Sequence, residues 1–451
     1  MASQEQRWVR RLWGSVGVSL LGTQITVLAL PLTALGVLHA SAGQVAALAA
    51  AGTAPFLLLG LPAGAFVDRW PPRRLMVWAD VARAVLLLSV PLAVVADVLT
   101  LPHLFAVAAG VGALSVPFDV AALSVLPALV QPGRVAAANV KLEAARAVAQ
   151  TGGPAVGGAL VQAITAPAAL VLDALSYLAS AVLLRGLPAL PRADNAGRQA
   201  RLLRQMRAGI GFCLTHRYIR PLALGAGWMN FWTEALMAVF ITYAVRDLHL
   251  PAAAVGAVLG IANLGYLAGS MLVPWLNRHL GVGRTIALGV LLHGAYLLAA
   301  LAPIAHPLPW MTVGFMVAAA GQGIWNVDAV TLRQTTTPGP MLARMNATNR
   351  FLIWGTMPLG AAAGGLLASG GLGLPATVAV AAGAVPLAAV AVLLSAVRTL
   401  RAMPSAPVDG AGSPWHDSGE QAGRRLPDQP ALVTAARHGS MNATDDNGAN
   451  G

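Results

Sequence analysis

The chain has 451 residues, of which 57% are hydrophobic and only 10% charged, too little polar surface for a soluble globule, so a lipid bilayer is the expected solvent. One cysteine, Cys213, excludes intrachain disulfides and Cys-based metal clusters and reads as an apolar filler. The net charge of +12 would suit a nucleic-acid binder, but all except two of the 29 basic residues fall at the termini, in alternate connections between apolar runs, or about one turn inside the run ends beside those connections. Arg246 lies in an outer connection and Arg83 just inside a helix. That is the positive-inside pattern of a multi-pass membrane protein, and it excludes a nucleic-acid partner while placing both termini in the cytoplasm. Abundant Ala and Gly, with Arg far outnumbering Lys, suggest a GC-rich bacterial genome and hence the bacterial inner membrane.

In chain order, residues 1–11 form a short cytoplasmic N-terminus. Its Arg7, Arg10 and Arg11 precede an apolar run too long for a signal peptide. Apolar runs near 12–38, 44–67, 75–97, 102–130, 142–164 and 167–187 make a first six-helix bundle over 12–187. Each is long enough for the roughly 20 residues that a spanning helix needs. Residues 188–219 carry Arg192, Arg198, Arg201, Arg204, Arg207 and Arg217 with Leu203, Met206, Ile210 and Leu214 at helical spacing, which predicts an amphipathic cytoplasmic linker lying among anionic head groups. Runs near 220–245, 252–276, 285–304, 308–336, 346–370 and 373–397 make a second bundle over 220–397. The polar, Pro- and Gly-rich stretch 398–451 reads as a disordered cytoplasmic tail. The fold class is therefore an all-α integral membrane protein with about twelve transmembrane helices.

The halves echo one another at a separation near 209. Asp68-Arg69 answers Asn277-Arg278, Asp119 answers Asp328, and Pro132-Gly133, Asn139, Arg146, Pro154 and Gly157-Gly158 recur as Pro338-Gly339, Asn346, Arg350, Pro358 and Gly364-Gly365. Two pseudo-symmetric halves about an axis along the membrane normal place a binding site between them at mid-membrane.

Ionisable residues inside a membrane are costly and mark partners or tasks. Glu234, near the middle of the seventh run, ranks first for proton or cation handling, because burial favours the neutral acid and an approaching cation the charged one. Asp119 and Asp328 occupy equivalent places in the two halves and are further proton-coupling candidates or opposed parts of an inner gate, with Arg83, Arg146, Arg333 and Arg350 as partners. Asp80 with Arg83 and Glu143 with Arg146 stand three residues apart and read as pairs at the cytoplasmic rim. Asp173 reads mainly as a fixed structural acid and His293 as a satisfied core histidine. Trp228, Asn230 and Trp232 flank Glu234 and are cavity candidates, while Trp325 keeps an aromatic-lined pocket open. No phosphate loop, nucleophile elbow or metal-ligand spacing occurs, so neither an enzyme, a metal site, a cofactor nor ATP-driven transport is expected.

Two motifs and several longer stretches carry a resemblance. Gly64-Ala-Phe-Val-Asp68-Arg69-Trp-Pro-Pro-Arg73-Arg74 resembles the loop between helices two and three of the major facilitator superfamily. Trp70-Pro71-Pro72 stands where that loop has glycine. Ala149-Gln-Thr-Gly-Gly153-Pro154-Ala-Val-Gly157-Gly158 resembles the superfamily's antiporter motif in helix five, with Ala149 in place of its first glycine. Leu21 to Pro31, Asn139 to Arg146 and Asn346 to Gly355 are similar to the bacterial branch holding enterobactin exporters and macrolide-efflux carriers. The resemblance spans about residues 10–400. It implies the major facilitator fold, a central cavity lined by Gln24, Asn263, Gln322 and Asn326 of helices one, eight and ten, and a cytoplasmic gate built from the loop motif. The expected function is proton-coupled antiport that exports an amphipathic small molecule such as a drug, antibiotic or siderophore. A metabolite importer and a transport-inactive receptor or scaffold are the alternatives, and oligomeric state is open.

Overall fold

The computed structural model describes residues 2–60, 67, 70–130, 135–188, 209–302 and 306–404. Among these it is helical, with no strand. The rods follow the apolar runs: α1 (Ala2–Gly36), α2 (Ala42–Leu59), α3 (Pro72–Val95), α4 (Leu101–Leu129), α5 (Val135–Ile164) and α6 (Ala166–Arg185). Then come α7 (Ile219–Arg246), α8 (Ala252–Leu280) and α9, which runs Val282–His293 and passes a tight turn at Gly294–Tyr296 into Leu297–Ala300. α10 (Pro307–Thr336), α11 (Gly339–Leu367) and α12 follow, α12 running Gly373–Ala384 and passing Val385–Leu387 into Ala388–Leu393. Gly64, Asp68 and Arg69 of the loop motif, the linker from 189 to 208, the tail from 405 and the side chain of Arg350 lie outside the described residues.

Helix starts reach further out than hydropathy alone suggests. α1 begins at Ala2 rather than near 12, α5 at Val135 rather than 142 and α11 at Gly339 rather than 346. A helix continues through polar residues as long as its backbone bonds close, so hydropathy marks the lipid-immersed part and not the whole rod. Eight stretches are long and apolar enough to cross a membrane, the last running from Phe351 to Leu393 through both α11 and α12. α5, α7 and α10 are not among them. These three carry Gln150, Glu234 and Asn230, and Gln322, Asn326 and Asp328, respectively.

α1 packs on α5 and α6, α3 on α4 and α6, and α2 on α4; in the second half α8 and α9 pack on α10, and α11 and α12 on α7. The two most extensive contacts between the halves are α5 with α8 and α2 with α11, and α7 also touches α1 and α2. Lipid tails are as apolar as leucine, so such contacts depend on close backbone approach rather than on hydrophobic drive. At Gly158 of α5 an added methyl group would lie 2.4 Å from the Ala252 carbonyl oxygen and 3.0 Å from the Cα of Gly256 on α8. Both obstacles are backbone and cannot rotate aside. Gly158→Val is accordingly expected to lower stability by about 1–3 kcal/mol through overpacking, read as a drop in the thermal midpoint of the detergent-purified protein. An unchanged midpoint would show that the α5–α8 seam yields freely.

The internal repeat is visible in the backbone of two connections. His39 between α1 and α2 and His249 between α7 and α8 take left-handed φ of 50° and 51°. In both, a backbone N–H closes back on a carbonyl six residues earlier: Ala40 on Ala34 and Leu250 on Ala244, each at 2.9 Å. Asp97 and Thr165, in the α3–α4 and α5–α6 connections, also have positive φ, so this hairpin face of the bundle turns tightly throughout the first half.

Candidate functional site

Two adjoining cavities run between the halves. The larger, about 680 Å³, is mainly apolar and is lined from α1, α2, α3, α4, α5, α7, α8, α9 and α10. The smaller, about 540 Å³, is polar, and Asn230, Thr233, Tyr266, His293, Asn326 and Asn349 are among its lining residues. Asp119, Arg146 and Gln322 border both, which makes them the shared wall. Each volume suits a drug-sized molecule, for which pockets of roughly 300–1,000 Å³ are usual. On the hairpin face the halves are drawn together. There the Arg246 guanidinium donates to the Ala40 carbonyl at 2.7 Å, and deeper, midway along the helices, Asn263 Nδ2 of α8 donates to the Gln150 carbonyl of α5 at 2.7 Å.

Glu234 projects into the larger cavity from α7. Among the described residues it has neither an ion pair nor a hydrogen bond, and its neighbours on the same wall are Met237, Ala238 and Ile241. One turn away, on the side facing the polar cavity, lie Asn230 and Thr233. The 100° step of the helix explains the division: 230, 234, 237 and 241 share a stripe, whereas Trp228 and Trp232 fall on the other side. Those two tryptophans therefore line neither cavity, contrary to the sequence expectation. Trp228 Nε1 donates to the Ala384 carbonyl of α12 at 2.7 Å, and Trp232 packs edge-on against Trp228 and Phe231 at 5.9 and 5.3 Å.

The family model described as Transmembrane secretion effector matches residues 1–418. The chain belongs to that family, a branch of the major facilitator superfamily. It is 28% identical over 281 residues to the MFS-type transporter y4rN of Sinorhizobium fredii, a match covering 60% of this chain and 65% of the relative, slightly under two thirds. Among solved structures it is similar to a nucleoside transporter, NupG, with a TM-score of 0.70 at 12% identity over 86% of this chain and 99% of the other. It is also similar to a bacterial homologue of the iron transporter ferroportin in an inward-facing state, with a TM-score of 0.68 at 20% identity over 86% and 98%. The major facilitator fold is thus that of this chain, and its relatives are transporters rather than enzymes.

Within this major facilitator protein, Gln24, Asn263 and Gln322 line the larger cavity and Asn230, Gln322, Asn326 and Trp325 the polar one. Asn326 Nδ2 donates to the Tyr266 hydroxyl at 2.7 Å, and Asn230 Nδ2 folds back onto the Ala226 carbonyl at 2.8 Å. Gly153 and Gly157 of the helix-five motif press on Gln24 of α1, Pro154 lines the larger cavity and Gly158 meets α8, so the motif is a seam on both sides. Glu143 and Arg146 stand 3.6 Å apart, half to largely exposed, at the edge of the polar cavity. Arg73 and Arg74 sit in the first turn of α3, half-buried and exposed, respectively.

Three expectations differ from the structure. Asp80 and Arg83 are not a rim pair: they are 0% and 4% exposed inside the first half, where Asp80 also accepts from Ser180 of α6 at 2.6 Å. Three-residue spacing establishes that two side chains can meet, not how deep they lie. Asp328 lines neither cavity, and among the described residues it accepts from Asn277 of α8 at 2.8 Å rather than pairing with an arginine. Asp119, its counterpart, faces both cavities, so equivalent positions have unequal surroundings. His293 is only half satisfied. Its Nε2 meets Thr233 Oγ1 at 3.3 Å while its buried Nδ1 has no partner among the described residues. Cys213 behaves as expected, packed with Ile219 and Met345, and burial pushes its thiol up to about 11, which keeps it inert at neutral pH. Sequence reasoning missed Tyr266, Tyr296 and the hydroxyl-rich wall of α1, because a lone Thr or Tyr in an apolar run carries no periodic signal.

Proposed function

We propose that the protein is a proton-coupled antiporter that exports an amphipathic small molecule from the bacterial cytoplasm, with both termini on the cytoplasmic side of the inner membrane. The observation that carries this reading is Glu234: a carboxyl without hydrogen-bond or ion-pair partners among the described residues, held in the wall of a 680 Å³ mainly apolar cavity between the halves. A structural carboxyl in lipid is fixed by hydrogen bonds or a counter-ion, since leaving it bare costs a few kcal/mol. A bare one exchanges its proton for a cationic or polar group of the cargo. The cavity's largely apolar wall suits the cargo's body, and Asn230, Gln322 and Asn326 beside it suit polar substituents.

In this reading residues 12–187 and 220–397 are the two rocking bundles, joined by the cytoplasmic linker 188–219 and followed by the tail 398–451. The glycine seam of α5 with α8, the α2–α11 contact and the Arg246–Ala40 bond close the periplasmic side, leaving the polar cavity as the cytoplasmic approach. Alternating access then requires these contacts to part while Arg73, Arg74, Glu143, Arg146 and the loop motif come together.

Proteoliposomes holding the purified protein and an imposed pH gradient test this with a panel of fluorescent amphipathic dyes. Gradient-driven dye movement that stops when a protonophore collapses the gradient is expected. Movement indifferent to the protonophore would overturn the coupling.

A further inference from the structure

We infer that Asp173 is a second proton site, loaded from the larger cavity through Thr26, so that each half of the transporter carries one exchangeable proton. The inference rests on the proton-coupled reading above and adds a site to it.

Asp80 and Arg83 of α3 and Asp173 of α6 form one buried cluster, with exposures of 0%, 4% and 0%. The Arg83 guanidinium pairs with Asp80 and acts on Asp173 through space, so one positive charge serves two carboxyls. With both ionised the cluster would hold an uncompensated negative charge in the low-dielectric interior, and one added proton makes it neutral. The hydrogen bonds say which acid takes it. Asp80 accepts from the Arg83 guanidinium on one oxygen and from the Ser180 hydroxyl on the other, and the charged donor favours the ionised form. Among the described residues Asp173 meets only hydroxyls at hydrogen-bond distance: Thr26 of α1 on Oδ2, and Ser176 on Oδ1 at 3.0 Å. A hydroxyl donates to a carboxylate and accepts from a carboxylic acid equally well, so this pocket accommodates either state.

Access is built in as well. Thr26 and Arg83 both line the larger cavity, so the chain of contacts from cavity to Asp173 is one hydroxyl long. Loading takes the form of a relay. Thr26 passes its hydroxyl proton to Asp173 Oδ2 and takes a proton from a hydronium ion in the cavity, which leaves as water, so that Thr26 is unchanged and the cluster neutral. The Nε of Arg83 is buried without a hydrogen-bond partner, and such an N–H bordering a cavity calls for water at that spot. Gly22 of α1 makes the approach possible. A methyl group there would lie 2.2 Å from Asp173 Oδ1 and 2.0 Å from Ser176 Oγ. The charged groups acting on Asp173 are Arg83 and Asp80 of α3; Tyr177, one turn along α6, stacks on Arg83 at 4.3 Å and bonds Thr23 of α1 at 3.1 Å. Glu143 and Arg146 of α5 border the polar cavity.

Infrared difference spectroscopy on the full-length protein in lipid, recorded through a pH titration and after transfer to heavy water, tests this. Protonated Asp173 and Glu234 each give a carboxylic-acid carbonyl band. Asp173→Asn, which keeps the side chain's shape, is expected to remove one band, and Glu234→Gln the other. Thr26→Val keeps the Asp173 band but slows its deuterium shift about tenfold or more, with the Glu234 band exchanging as before. No band lost in Asp173→Asn overturns the inference and leaves Glu234 standing, whereas a band lost only in Asp173→Asn removes Glu234 instead. Should Asp173→Asn fail to fold, the exchange rate in Thr26→Val decides alone. Unchanged exchange means the acid is a sealed structural group.

Discussion

Glu234→Gln is expected to abolish proton-driven substrate accumulation while leaving the protein folded and abundant. Each translocated proton contributes about 2.3 kcal/mol per 100 mV of membrane potential, enough for a roughly fiftyfold gradient of a neutral substrate if one proton moves per cycle. A glutamine holds no exchangeable proton, so that gradient falls to the level reached by passive exchange. Stability behaves differently. Among the described residues Glu234 has no hydrogen bond or ion pair to lose, and Gln matches its volume, so the thermal midpoint stays close to that of the parent. Substrate exchange without a gradient, driven only by unlabelled substrate on the far side, is expected to persist in the variant. That split separates a coupling group from a residue that merely shapes the cavity, whose loss slows both modes. Full accumulation by Glu234→Gln proteoliposomes would remove Glu234 from the mechanism.

Much of the fold was legible in the sequence because lipid imposes one rule along the chain: twenty or so apolar residues, helical throughout, with arginines kept to one side. α1 to α12 follow from it, and so does the pairing of halves, which the twin hairpins at His39 and His249 repeat in the backbone. Rod ends were less legible, since the extra turns at Ala2, Val135 and Gly339 lie where hydropathy has no force. For the candidate site, chemistry was readable and direction was not. Glu234 was identifiable as a charge too costly to face lipid, and Gln24, Asn263 and Gln322 through the resemblance to the superfamily; all four line a cavity. Trp228 and Trp232 were not separable from Asn230 by composition, because which stripe of α7 faces inward is set by α11 and α12 packing behind it. Asp80 and Arg83 show the same limit in depth, for their burial comes from Phe118, Tyr177 and Ser180 on helices remote in sequence.

That burial makes Arg83 the position where one substitution costs most in stability. Its guanidinium lies 4.4 Å from the Phe118 ring centre and 4.3 Å from that of Tyr177, bonds Asp80, and donates to Ser115 at 3.2 Å. Arg83→Met keeps much of the volume but leaves Asp80 without its counter-charge. Removing one partner of a buried pair typically costs about 3–5 kcal/mol, against about a few tenths for an exposed one such as Glu143–Arg146. Arg83→Lys retains the charge but loses the planar stack and the forked donors, and is expected to cost about 1–2 kcal/mol. The order in thermal midpoint is therefore parent, then Lys, then Met. The double variant Asp80→Asn with Arg83→Met discriminates charge from shape: with the unpaired carboxylate gone, it is expected to recover more than half of what Arg83→Met loses. If the double variant unfolds no later than Arg83→Met alone, the cost lies in lost packing between Phe118 and Tyr177, and the electrostatic account of the cluster fails.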